Sequence, residues 1–267
     1  MDTHDRERSI ARKAAAEAGA ILLSGWGKRP TVAFKSSEVD LVTEYDGKSE
    51  RAIVSILAEA FPSDTIVGEE GGHHKGSSGR TWFVDPLDGT TNFSHGLPFF
   101  GSSIGLWEAG LPVVGVVTAP ALGWEFHAAM GQGARLGESP IAVSGVSDLN
   151  RALLATGFPY VCVDGGDNLS EFATFMRRSQ GVRRIGSAAL DLCFVACGWL
   201  DGYWERHIKP WDLVGGAALI LEAGGRIGDP DQGPFVPETG CILASNGLIY
   251  DQMKAVLAEV AVAKVRN

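Results

Sequence analysis

The stretch Trp82-Phe83-Val84-Asp85-Pro86-Leu87-Asp88-Gly89-Thr90-Thr91-Asn92-Phe93-Ser94-His95 holds most of what the sequence says about fold and chemistry. An apolar strand, Thr81 to Val84, ends in Asp85. Pro86 withholds an N–H from any ladder, and Asp88 follows three residues on, immediately before Gly89-Thr90-Thr91. Two carboxylates therefore converge at a strand end. Hard divalent cations such as Mg²⁺ take clustered oxygen ligands, and Asp85, Asp88 and the Leu87 carbonyl between them supply one face of such a site. Gly89 lets backbone approach an anion closely, and a helix starting near Thr90 would turn its free N–H groups toward that anion. Taken alone, such a turn is more often a strand exit with a capping Asp.

Upstream, Ile10, Ala14, Ala18 and Ile21 line one helical stripe and Ile53, Ile56, Leu57 and Ala60 another, which Pro62 stops. Strand-like runs follow at 65–67, 81–84, 99–107, 112–118 and 124–129, with hairpin-like spacing. Helices followed by consecutive strands predict an α+β half, residues 1–144, with a mainly antiparallel sheet. After Ser144 the rhythm changes. Strands at 153–155, 182–185, 201–204 and 242–244 alternate with helices at 169–178, 187–196, 212–223 and 248–265, predicting an α/β half, residues 145–267, with some parallel pairing. The Gly- and Ser-rich stretch 71–80, which holds His73 and His74, reads as a mobile loop with a solvated histidine pair.

With 23 Lys and Arg against 32 Asp and Glu, the formal charge is −9, which argues against a nucleic-acid surface or an anionic membrane as partner. Four cysteines, Cys162, Cys193, Cys197 and Cys241, form no CxxC pair, and Cys193 and Cys197 fall on one helix face as buried free thiols. No apolar run is long enough to span a bilayer, and the acidic N-terminus lacks a signal-peptide pattern, so a cytoplasmic location is expected.

Two further motifs stand beside the first. Gly68-Glu69-Glu70-Gly71 follows the strand-like Thr65 to Val67; paired acids there are common as solvated turn residues. In Pro210-Trp211-Asp212, the acid is a natural N-cap or first-turn residue. The helix it opens, with Gly215, Gly216, Ala217 and Ala218, is built for close packing rather than intrinsic helicity.

Taken together and in this order, Gly-Glu-Glu, Asp-Pro-Leu-Asp-Gly-Thr-Thr, and Trp-Asp with its small-residue helix and Glu222-Ala-Gly-Gly225 resemble the inositol monophosphatase family of Mg²⁺-dependent, lithium-sensitive phosphatases. The likeness extends to 35–46, 184–191 and 201–205. It implies a layered sandwich of alternating helices and sheets, of the fructose-1,6-bisphosphatase and inositol monophosphatase type, with one active site shared between the halves. By the same resemblance, Glu69, Asp85 and the Leu87 carbonyl hold one metal, Asp85, Asp88 and Asp212 a second, and Glu69 with waters a third. Two to three Mg²⁺ per site are implied, with Mn²⁺ able to substitute. Thr90, oriented by Asp46, and Glu69 would position and deprotonate the attacking water. The phosphate would rest on the Gly89 and Thr90 N–H groups, while Asp88, Ala188, Glu205 and Asp212 would line the alcohol pocket. Lys35 would belong to a loop that closes over the metals. A homodimer is also implied.

The chain departs from the family pattern at Val214, where a smaller Ala or Cys is usual, so the start of the helix could shift. Arg183 and Arg184 suit an anionic substrate or a dimer partner as well as they suit a surface ion pair. The expected activity is hydrolysis of myo-inositol monophosphate, or a similar small polyol phosphate, by direct attack of a metal-activated water. Fructose-1,6-bisphosphate, histidinol phosphate or a sulfated nucleotide are the alternative substrates. A regulatory protein- or RNA-binding role on the same scaffold is the alternative of another class.

Overall fold

The computed structural model describes residues 4–28, 32–34, 41–159, 168–231 and 233–265. Lys35 and Cys162 lie outside these residues. The chain begins with helices α1 (Asp5–Gly25) and α2 (Glu44–Ala60), flanking a small ribbon of β1 (Val32–Phe34) and β2 (Leu41–Thr43). Then come β3 (Thr65–Gly68), β4 (His73–His74), β5 (Thr81–Asp88), α3 (Thr90–His95), β6 (Gly101–Glu108), β7 (Leu111–Ala119), β8 (Trp124–Ala129), β9 (Ala134–Leu136) and β10 (Ser139–Ile141). These strands form one eight-stranded sheet in the order β10-β9-β8-β7-β6-β5-β3-β4. Only β3 and β5 pair in parallel; the rest is a run of antiparallel neighbours, as the hairpin spacing predicted.

The remainder alternates: β11 (Leu153–Thr156), α4 (Leu169–Arg178), β12 (Gly181–Arg183), α5 (Ala188–Ala196), β13 (Gly202–Arg206), α6 (Pro210–Glu222), β14 (Arg226–Gly228), β15 (Cys241–Ser245) and α7 (Tyr250–Val265). The second sheet has the order β12-β11-β13-β15-β14, with β11 parallel to β12 and β13 and the last two strands antiparallel.

Side-chain alternation along the strands stacks these elements in five layers, helix, sheet, helix, sheet, helix. Ile104, Leu106, Val114 and Val116 face α1 and α2, meeting Ala11, Ala14, Ala18, Ile53 and Leu57. Val117, Phe126 and Ala128 face the other way, onto α5 and α6. Those helices are covered on their far side by Ala155, Tyr203 and Ala244, while the adjacent Leu154, Trp204 and Leu243 turn outward to α4 and α7. Helices α5 and α6 are thus buried on both faces, which explains why their apolar residues run almost all round.

The small residues of α6 meet small residues of the sheet. Gly105 and Gly115 are cross-strand partners on β6 and β7, and a Cβ on Gly115 would sit 2.1 Å from the Gly215 carbonyl oxygen. A Cβ on Gly105 would lie 2.6 Å from Val214 Cγ1, so the missing side chain of Gly105 makes room for the unusual valine. Val214 is fully buried, and α6 begins at Pro210, two residues before the expected Asp212. At the other end, the Glu222 carboxylate accepts the N–H groups of Gly131, Gln132 and Gly133 in the β8–β9 turn, at 2.8–3.0 Å.

Two expectations are corrected. Strand β5 does not end at Val84 but runs to Asp88 with a break in register between Asp85 and Asp88; Pro86, which has no N–H to pair, lies within that break. The stretch holding His73 and His74 is not a free loop. It pairs back onto β3, opposite Val67 and Ile66, and His74 Nε2 lies 2.8 Å from the Pro62 carbonyl. The buried thiol pair holds for Cys193, whereas Cys197 is the half-buried C-cap of α5.

Candidate active site

The ends of β3, β5 and β13 and the first turns of α3, α5 and α6 line one cleft of about 310 Å³. Glu69, Asp85, Leu87, Asp88, Gly89, Thr90, Ala188, Glu205 and Asp212, all singled out in the sequence, border it. Asp46 lies behind it.

Each acid is placed by a different device. Because β3 runs parallel to β5 with Gly68 beside Val84, Glu69 emerges abreast of Asp85, and its N–H donates to the Val84 carbonyl at 3.2 Å. Asp85 Oδ1 accepts the Leu87 N–H at 2.9 Å, an Asx turn that fixes the bend around Pro86. Asp88 is gripped by the start of α5: Ser187 Oγ and the Ala189 N–H both donate to Asp88 Oδ2, at 2.6 and 2.7 Å. Asp212 is the third residue of α6, where its Oδ2 accepts the Lys209 N–H at 3.0 Å. The glycine contact between α6 and the sheet then brings it across. One carboxylate oxygen each from Asp85, Asp88 and Asp212 lies within 4.8 Å of the others.

Such crowding disfavours ionisation. Burial, followed by the charges of Glu69, Asp212 and Asp88, holds Asp85 well above the usual carboxylate range. Burial and the charges of Glu69 and Asp88 do the same to Asp212. Asp88 is pushed up to about 6, chiefly by burial, against the lowering effect of its Ser187 and Ala189 hydrogen bonds. Three hard oxygen ligands that cannot all be charged without a counter-charge are a donor set that fits a divalent cation such as Mg²⁺.

Thr90 stands at the cleft edge with its hydroxyl 3.0 Å from the Leu87 carbonyl and 3.3 Å from Asp46 Oδ1. The fully buried Asp46 is itself fixed, its Oδ2 accepting the Thr43 N–H and hydroxyl at 2.8 and 2.6 Å in the capping box of α2. Gly89 has φ +87°, and a Cβ there would come within 2.8 Å of the Phe99 carbonyl, so the chain can enter α3 at this angle only with glycine. At the far end, Glu205 takes the Tyr203 hydroxyl; burial, opposed by that bond, pushes it up to about 7. Arg184 borders the cleft, whereas Arg183 is the exposed last residue of β12. Neither His73 nor His74 borders it.

Sequence reading missed three residues. Ser187 holds Asp88, and Asp191 lines the cleft floor. Glu50 of α2, 4 % exposed, accepts the Glu70 N–H at 2.7 Å and the Gly72 N–H at 2.8 Å, clamping the turn that carries Glu69. Gly68 and Gly72 leave the space it fills, since a Cβ on either would come within 2.7 Å of its carboxylate. A signal existed: Glu50 stands at i−3 and i−7 from Ile53 and Leu57, on the apolar stripe of α2.

A layered fold with four acids converging from one sheet and a buried helix defines a metal-dependent phosphoric monoester hydrolase, and the comparisons agree. The profile of the Inositol monophosphatase family matches residues 4–266, and the chain belongs to that family. An inositol-1-monophosphatase from Synechocystis sp. is 45 % identical over 251 residues, covering 93 % of this chain and 88 % of its own. A Pseudomonas aeruginosa protein named Nus factor SuhB is 40 % identical over 245 residues, covering 89 % and 90 %. The solved structure of inositol monophosphatase from Anabaena (Nostoc) sp. superposes with a TM-score of 0.86 at 42 % identity, covering 95 % of this chain and 96 % of that one. No helix among the described residues is long and apolar enough to cross a membrane.

Proposed function

We propose that this phosphatase hydrolyses myo-inositol monophosphate, or a similar small polyol phosphate, to the alcohol and inorganic phosphate, with two to three Mg²⁺ held by Glu69, Asp85, the Leu87 carbonyl, Asp88 and Asp212, and with Mn²⁺ as a substitute. The observation that carries the reading is the packing of Asp85, Asp88 and Asp212 within 4.8 Å, in a cleft that Glu69, Ala188 and Glu205 also border. Bound divalent cations neutralise phosphoryl oxygens and acidify a bound water.

The chain's own groups do the rest. The Thr90 hydroxyl can direct its proton to Asp46 Oδ1, leaving its oxygen lone pairs free to accept from the attacking water. Glu69, on the same side of the cleft, takes that water's proton as general base. The first N–H groups of α3, at Gly89 and Thr90, receive the phosphate oxygens. Water attacks phosphorus in line, and the bond to the alcohol oxygen breaks on the side facing Asp88, Ala188, Glu205 and Asp212. Lys35 is read as part of a loop over the metals.

The chain works as two co-dependent halves, 1–144 and 145–267, in a lithium-sensitive, cytoplasmic homodimer with no nucleic-acid or membrane surface. Phosphate release measured with Mg²⁺ and with EDTA tests the reading, and equal rates would sink it. A kcat/KM far higher on fructose-1,6-bisphosphate, histidinol phosphate or a sulfated nucleotide would move the substrate to a neighbouring branch. The likeness to a protein named Nus factor SuhB favours one second reading, a regulatory role on the same scaffold. A cellular phenotype that persists unchanged in a folded but inactive Asp88→Asn variant would support it.

A further inference from the structure

Asp191 has no evident reason to be where it is. It lies at the end of the first turn of α5, between the buried Leu190 and Leu192, and is itself 2 % exposed. Its Oδ1 has no hydrogen-bond partner among the described residues. A buried carboxylate oxygen without a partner forfeits its hydration with nothing in exchange, and an apolar residue of similar size would suit this helix better. Burial, then the charges of Glu205 and Asp88, hold its carboxyl well above the usual range, with Arg184 acting in the opposite sense.

Its position gives the missing reason. Asp191 stands one helical turn beyond Ser187 and Ala188 and borders the cleft with them. Two of the polar groups nearby are already committed: the Ser187 hydroxyl to Asp88, and Glu205 Oε2 to the Tyr203 hydroxyl. Resting on the polyol-phosphatase reading above, we propose that Asp191 is a specificity-determining residue, its carboxylate accepting a hydroxyl hydrogen of the leaving alcohol at the floor of the cleft. A leaving group with a hydroxyl in reach gives the carboxylate its missing partner, and one without leaves it unpaired.

The test is the ratio of kcat/KM on myo-inositol 1-phosphate to that on phenyl phosphate, which has no hydroxyl, in wild type, Asp191→Leu and Asp191→Asn with Mg²⁺. Both values come from one preparation, so any unfolded fraction cancels. The ratio is expected to fall roughly tenfold to hundredfold in Asp191→Leu, the cost of leaving a buried hydroxyl without its partner, and less in Asp191→Asn, which keeps an acceptor oxygen. Both variants should melt at or above the wild-type temperature. A ratio within twofold of wild type in Asp191→Leu overturns the inference, as does a lowered melting temperature with both esters lost in equal proportion, which would mark a packing role. Wild-type enzyme that cleaves phenyl phosphate but not the inositol ester removes the polyol reading and this inference with it. Wild-type enzyme that cleaves neither refutes the phosphatase reading itself.

Discussion

Replacing Gly115 by alanine perturbs the active site from within the core. The new Cβ would sit 2.1 Å from the Gly215 carbonyl oxygen, against the 3.0 Å that real Cβ atoms keep. The oxygen is backbone and the Cβ is fixed by backbone, so no side chain can swing aside, and α6 must back away from β7 by roughly 1 Å, at a stability cost of about 1–3 kcal/mol. Asp212 lies one turn before Gly215 on the same helix, while Asp85 and Asp88 stay with the sheet. The shift therefore opens the acid triangle, and a misplacement of ~1 Å in a catalytic constellation costs on the order of 100-fold. The assay is kcat/KM over a Mg²⁺ titration, alongside thermal melting, with Leu257→Ala as comparison. Leu257 is 2 % exposed on α7, in the outer core away from the cleft, and its truncation costs about 2–5 kcal/mol. Gly115→Ala should lose activity and need more Mg²⁺, whereas Leu257→Ala should lose stability alone. Gly115→Ala that melts early but keeps wild-type kcat/KM and Mg²⁺ dependence would refute the link between glycine packing and the acids.

Removing divalent metal with EDTA should lower the melting temperature, since saturation at 100 times Kd contributes about 2.7 kcal/mol; Asp85→Asn, which relieves part of the repulsion, should respond less, and identical curves for wild type with and without Mg²⁺ would contradict this. Glu50→Ala frees the turn behind Glu69 and strips a charged acceptor from two N–H groups, so stability should fall by about 2–4 kcal/mol and the Mg²⁺ concentration for half-activity should rise. Unchanged Mg²⁺ dependence would make Glu50 a purely structural residue. Glu205, raised from 4.5 to about 7, holds its proton more tightly folded than unfolded. Its contribution is complete below pH 4.5 and lost as pH rises through 7, up to roughly 3 kcal/mol across that window. In EDTA the wild type should lose more stability from pH 4.5 to 7.5 than Glu205→Gln, and parallel profiles would show that the proton is not held there.

What the sequence made legible was mainly local. The Asp85-Pro86-Leu87-Asp88 bend is written in residue types that admit few conformations, and the Gly215-Gly216-Ala217-Ala218 start of α6 announces a close approach. What it approaches is not written nearby: Gly105 and Gly115 lie about a hundred residues earlier and look like ordinary strand glycines until β6 and β7 pair. The parallel pairing that sets Glu69 beside Asp85 is likewise a long-range fact. An acid within an apolar helical pattern, such as Glu50 or Asp191, shows in the sequence neither its partner nor the lack of one. Glycine and serine around His73 and His74 predict a loop, yet two residues of pairing onto β3 need no strong propensity of their own.

The position of α6 has a consequence during synthesis. The eight-stranded sheet is complete in sequence by Ile141, but the face carrying Gly105, Gly115, Val117 and Phe126 is covered only when α5 and α6 arrive. The β8–β9 turn, too, waits for the carboxylate of Glu222, the last residue of α6. At about 5–20 residues per second, the ~80 residues from Ser144 to Glu222 take roughly 4–16 s to emerge, and throughout that interval the nascent chain presents a broad apolar surface to its surroundings. Substitutions that weaken the grip of α6 should therefore reduce yield in the cell more than their effect on the melting temperature of the finished protein would suggest.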